Sequence, residues 1–130
     1  MTILRLELFV ADLPRSIDFY RRVLGFDLER SSAGGYTALR RGEAQIALNR
    51  AEHLPADHPV AIAAGERPGR GVEIVLEVDD LEGLYEQVQA ARWPIERALQ
   101  RQPWGTVDFR VQDPDGYYLR FNRRQGPEPV

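Results

Sequence analysis

Two stretches decide how this sequence is read: Leu4-Arg5-Leu6-Glu7-Leu8-Phe9-Val10-Ala11-Asp12-Leu13 and Val72-Glu73-Ile74-Val75-Leu76-Glu77-Val78-Asp79-Asp80-Leu81. In the first, Leu4, Leu6, Leu8 and Val10 alternate with Arg5, Glu7 and Phe9, the period-2 pattern of a strand with one face buried. In the second, Val72, Ile74, Leu76 and Val78 alternate with Glu73, Val75 and Glu77. Each run closes on an aspartate able to cap a helix, Asp12 with Pro14 in the first turn, and Asp80. Apolar residues then recur at helical spacing, as Leu13, Ile17, Tyr20 and Leu24 and again as Leu81, Leu84, Tyr85, Val88 and Ala91. A strand feeding directly into a helix, twice, at a period of roughly 70 residues, marks a repeated unit whose kinship lies in the order of its elements.

Outward from these junctions the order continues in parallel. Gly25 stops the first helix, and strands are expected near 26–31, 35–40 and 44–49, separated by Ser31-Ser32-Ala33-Gly34-Gly35 and Arg41-Gly42. The second helix is followed by strands near 94–100, 106–112 and 117–122, the last two joined by Asp113-Pro114-Asp115-Gly116, a tight-turn signature. The expectation is an α+β fold of two βαβββ modules within one domain over 1–130. Module one covers about 1–52 and module two about 71–125. The Ala-, Pro-, Gly- and His-rich segment of about 53–70 crosses between them, and a frayed tail occupies 126–130.

Composition limits the chemistry. Zero cysteines leave no disulfide, thiol nucleophile or cysteine metal site. The first apolar run carries a charge and no small-residue cleavage pattern, so a cytoplasmic location is expected. No apolar run approaches the ~20 residues that span a bilayer. Seventeen basic and 20 acidic residues, net −3, are spread along the chain without a basic patch, which points away from nucleic acid and toward a small molecule. Gly34-Gly35 reads as a turn, not a phosphate loop, and His53 and His58 share one loop, so no Ser-His-Asp arrangement competes.

Taken together, Leu8-Phe9-Val10-Ala11-Asp12-Leu13 with Ser16, Phe19-Tyr20 and Leu24-Gly25-Phe26 resemble the vicinal oxygen chelate superfamily. So do Val75-Leu76-Glu77-Val78-Asp79-Asp80-Leu81, Pro103-Trp104-Gly105 and Asp113-Pro114-Asp115-Gly116. This superfamily includes glyoxalase-type lyases, extradiol dioxygenases and bleomycin-binding resistance proteins. The resemblance runs from about residue 3 to 124, poorest over the crossing loop. It implies that each module curls a mixed sheet into half of a cup around a cleft, and that two chains form a homodimer.

The resemblance also says where metal ligands stand in metal-dependent members: one cleft-facing position in the first strand and one in the last strand of each module. Here those positions read Arg5, Ala47, Glu73 and Arg120. A guanidinium offers no lone pair, a methyl offers nothing, and two arginines at one centre would repel a divalent cation. Neither a metal nor another cofactor is therefore expected, with Glu7 and Glu77 as the residues able to rescue such a site.

Parity places Arg5, Glu7, Phe9, Gln45, Ala47 and Asn49 opposite the helix-packed core in module one. In module two it places Glu73, Val75, Glu77, Asp108, Arg110, Tyr118, Arg120 and Asn122 there. Arg5, Glu73 and Arg120 could form an ion-pair network that merely orders the cleft, or leave a guanidinium free for a ligand's carboxylate, phenolate or phosphate. Trp104 could stack on a flat ligand, with Phe9, Asn49 and Tyr118 adding wall. The reading that asks least of these residues is a metal-independent protein that sequesters an aromatic or anionic natural product or metabolite. A second is a metal-independent lyase or isomerase with Glu73 or Glu7 as base and Arg120 stabilising an oxyanion. A third is a metal-dependent glyoxalase- or dioxygenase-like enzyme with displaced ligands.

Overall fold

A computed structural model describes residues 1–125; the expected frayed tail lies outside them. The chain divides into two compact units, Met1–Pro68 and a second from Gly69 onward. The first contains β1 (Leu6–Val10), α1 (Leu13–Asp18), β2 (Asp27–Ser31), β3 (Thr37–Arg41) and β4 (Ala44–Arg50), with a short 3-10 turn at Ala51–His53. The second contains β5 (Ile74–Val78), α2 (Leu81–Ala90), β6 (Arg97–Arg101), β7 (Val107–Gln112) and β8 (Tyr118–Arg123). Each unit forms its own four-stranded sheet, in orders β1-β4-β3-β2 and β5-β8-β7-β6. The first and last strands of each unit pair in parallel and the rest antiparallel. This is the expected α+β fold of two βαβββ modules. Among the described residues no helix is long and apolar enough to cross a membrane.

The caps sit where the aspartates place them. Oδ1 of Asp12 accepts from the Arg15 N–H at 3.1 Å, and Oδ1 of Asp80 accepts from the Gly83 N–H at 3.0 Å. The α1 helix does not keep its pitch, however. Over Phe19–Val23 it widens to a π turn, with the Leu24 N–H bonded to the Phe19 carbonyl at 3.1 Å. The extra residue in that turn brings Val23 to the buried face: Leu13, Tyr20 and Leu24 are interior as expected, Ser16, Phe19 and Val23 join them, and Ile17 is half-exposed. Tyr20 then meets Phe19 and Phe26 edge-on, at centroid distances of 5.0 and 5.7 Å. Gly25 ends the segment at φ 77°, a conformation open to glycine at no steric cost.

In the second unit Leu81, Leu84 and Val88 of α2 are buried over Phe109, Val111, Leu119 and Phe121. Phe109 and Phe121, opposite one another on β7 and β8, stack at 4.9 Å. Full burial of each such side chain contributes about 1.5–3 kcal/mol. The opening strands are shorter than their alternation suggests. Leu4 and Val72 are 74% and 60% exposed, and pairing starts at Leu6 and Ile74. Arg5 and Glu73 therefore stand one residue ahead of β1 and β5.

Candidate functional site

The face of each sheet that does not carry its helix is the polar one. In module one, Glu7 of β1 lies opposite Ala47 of β4, and Ala47 opposite Ala38 of β3. Both alanines are buried, so they form a small-residue floor. Phe9 pairs with Asn49 on the same face, both half-buried. The Tyr36 ring has two guanidinium groups near it, with the Arg5 and Arg30 carbons 5.9 and 5.7 Å from its centroid. The Tyr36 hydroxyl is buried with no hydrogen-bond partner among the described residues. Neither Tyr36 nor Arg30 was legible as a site residue. A bulge in β2 between Leu28 and Arg30 shifts the parity that would have pointed to the arginine.

In module two the polar face is more tightly knit. Arg120 of β8 lies opposite Arg110 of β7 on one side and Val75 of β5 on the other. Glu73 Oε1 stands 3.6 Å from Arg110 Nε and 3.7 Å from Arg120 Nε, one carboxylate shared by two half-buried guanidinium groups. Asp108, 1% exposed, lies 4.0 Å from Arg110 and accepts from Gln102 Nε2 at 2.9 Å. The expected pairing of Glu73 with Arg120 is thus present, and Arg110, expected only as a member of the polar face, is the third member of the cluster. Its signal was the Asp108-Phe109-Arg110 alternation, which sets both charges on one side of β7. Arg5 has its own contact with Tyr36 in module one.

Glu77, Thr106, Val107, Asn122 and Arg101 line a hollow of about 370 Å³ at one end of this face. Trp104, in the turn between β6 and β7, is 64% exposed, and Gly105 beside it adopts φ 99°. Tyr118 is half-buried at the start of β8. A wider hollow of about 890 Å³ lies beside α1, lined by Leu13, Ile17, Arg21, Ser32 and Arg50, on the helix side of the first sheet. It holds no convergent set of groups from the polar face.

The two sheet orders, the parallel outer pairings and the capped strand-to-helix junctions agree with a known pattern. Residues 2–121 match the Glyoxalase/Bleomycin resistance protein/Dioxygenase superfamily. The chain belongs to this superfamily. Among glyoxalase-superfamily relatives, a Haemophilus influenzae protein named lactoylglutathione lyase is 32% identical over 130 residues, covering 93% of this chain and 91% of that one. The crystal structure of TioX from Micromonospora sp. ML1 superposes with a TM-score of 0.77 at 26% identity, over 96% of this chain and all of its own. A lactoylglutathione lyase from Agrobacterium tumefaciens has the same fold, with a TM-score of 0.70 at 20% identity over 94% of this chain and 92% of its own.

At the positions where the resemblance places metal ligands, neither module supplies a donor set that fits a metal. Ala47 presents a buried methyl, Arg5 and Arg120 present guanidinium groups, and the remaining candidate, Glu73, already faces two arginines. In module two a cation would have to displace both guanidinium groups from Glu73, and among the described residues no three His, Asp or Glu side chains, Glu7 and Glu77 included, cluster to hold one. His53 is exposed, and Nδ1 of His58 accepts from the Val60 N–H at 3.1 Å within the crossing loop.

Proposed function

We propose that the chain is a metal-independent small-molecule binder of the glyoxalase/bleomycin-resistance type that holds an aromatic or anionic natural product or metabolite on these polar faces. The observation that carries this reading is the single carboxylate of Glu73 shared between Arg110 and Arg120. Two forked donor groups on adjacent strands, spaced beyond hydrogen-bond reach of that carboxylate, are suited to acceptor atoms of a ligand. Arg5, Phe9, Ala47 and Asn49 in module one, and Trp104 and Tyr118 in module two, supply charge, floor and aromatic wall. The working unit we propose is a homodimer in the cytoplasm.

A melting panel on protein purified without chelator tests the proposal. A ligand at ~100 times its dissociation constant adds about 2.7 kcal/mol and raises Tm by on the order of 10 °C. The compound that does so is expected back unchanged after incubation, from protein carrying far less than one equivalent of metal. One equivalent of Fe, Mn, Ni or Zn per chain would overturn the reading.

The name of the Haemophilus influenzae relative favours a second reading, a lyase or isomerase. Glu73 or Glu7 then acts as base and Arg120 steadies the developing oxyanion. Conversion of the bound compound, abolished by Glu73→Gln in a protein that still melts cooperatively, distinguishes this from plain binding.

A further inference from the structure

Four buried side-chain atoms on β7 and β8 have no hydrogen-bond partner among the described residues: Asp108 Oδ2, Arg110 Nε, Arg120 Nε and Asn122 Oδ1. Asp108 lies opposite Asn122, and Arg110 opposite Arg120, so the four residues occupy two successive same-face rungs of one antiparallel ladder. Rungs two residues apart along a strand are about 7 Å apart, and opposed residues about 5 Å. One rung offers two N–H donors and the next offers two acceptor oxygens, with the Asn122 amide NH2 beside one of them. Nearly all buried polar groups in folded proteins are hydrogen-bonded, so four without a hydrogen bond within a patch this small, three of them only in ion pairs of 3.6–4.0 Å, point to a ligand edge.

The charges of the patch narrow that edge. Glu73 and Asp108 balance Arg110 and Arg120. A ligand carboxylate laid on the arginine rung would add an uncompensated negative charge to a half-buried site and turn acceptor against acceptor at Asp108. A neutral group with a carbonyl beside an N–H or O–H satisfies both rungs at once. The hollow of about 370 Å³ continues from Asn122 past Thr106 and Glu77, within the size range of small-molecule sites.

We infer that this face of module two recognises a neutral amide-like edge, its carbonyl meeting Arg110 and Arg120 and its N–H or O–H meeting Asp108 and Asn122. This rests on the binding reading above and narrows its ligand from aromatic or anionic to aromatic with an amide, lactam or ureido edge.

Benzamide, N,N-dimethylbenzamide and benzoate test it on the full chain, titrated to about 10 mM in ¹⁵N–¹H NMR spectra, the range suited to weak fragments. Benzamide is expected to move the backbone amides of 106–110 and 120–122. Dimethylation, which removes the donor, is expected to weaken binding about tenfold, and benzoate to bind more weakly than benzamide. Asp108→Asn is expected to lower benzamide affinity about fivefold with a folded spectrum, and Asn122→Ala serves if that variant does not fold. Benzoate binding these strands more tightly than benzamide, or dimethylation without effect, overturns the amide edge and leaves the small-molecule reading standing. Silence of these amides toward all three probes overturns it as well. A silent melting panel, by contrast, is the failure of the broader reading.

Discussion

Replacing Asp113 with alanine removes one oxygen that organises the entry to β8. Asp113 is 4% exposed, and its Oδ1 accepts from the N–H groups of Asp115, Gly116 and Tyr117, each at 2.9 Å. The three donors do not suffer equally. Gly116 keeps a second acceptor, the Asp113 carbonyl at 3.0 Å, and Asp115 is half-exposed, within reach of water. The Tyr117 N–H belongs to a buried residue, and losing its acceptor costs about 1–3 kcal/mol. The other two add about 0.5–1 kcal/mol together, for a total of about 1.5–4 kcal/mol. At roughly 2.1 cal/mol/K per residue, unfolding 130 residues carries about 0.27 kcal/mol/K, so Tm falls by about 6–15 °C. Asp113→Asn retains an oxygen acceptor and is expected to lose less than half as much. Circular-dichroism melts of the three proteins decide the matter. A fall of under about 3 °C for Asp113→Ala refutes the reasoning, and equal losses for the two variants show that charge, not the placed oxygen, holds the turn. What is at stake is register: a one-residue slip of β8 would exchange Arg120 and Asn122 for Leu119 and Phe121 on the polar face.

Two further substitutions probe the backbone. Gly69 adopts φ 73°, and a Cβ there would stand 2.7 Å from Tyr117 Cδ1, so Gly69→Ala is expected to destabilise by about 2–4 kcal/mol, read as a lower urea midpoint at unchanged slope; a midpoint equal to the parent's contradicts this. Arg92, just past α2, is the one non-glycine residue at positive φ (57°) among those described, and Arg92→Gly is expected to stabilise by about 0.5–1 kcal/mol, a Tm rise of a few degrees that a fall would refute.

Much of the fold was legible because its signals are local. Asp12 and Asp80 announce the helices, Asp113-Pro114-Asp115-Gly116 announces the last hairpin, and period-2 runs announce the strands. What stayed hidden depends on geometry that no short pattern encodes. The π turn at Phe19–Val23 brought Val23 into the core, and Ile17 ahead of it is only half-buried. Alternation in Leu4 and Val72 continues beyond the last paired residue, because hydrophobic pattern does not say where a neighbour's ladder begins. In the site, parity put Arg110 and Asp108 on the right face, but only the β7–β8 register shows that Arg110 stands beside Arg120 and within reach of Glu73. The Arg5–Tyr36–Arg30 arrangement depends on the β2 bulge and on side-chain directions, which spacing does not fix.

Because each sheet draws all of its strands from its own half of the chain, the order of synthesis has a consequence. The ladder of β1 to β4 needs nothing beyond Arg50, whereas β8 ends at Arg123. At about 5–20 residues per second, a ribosome takes roughly 4–15 s to add the intervening stretch, while hairpins form in about 1–10 μs. The first half can therefore close its own sheet long before the strands of the second exist to mispair with it.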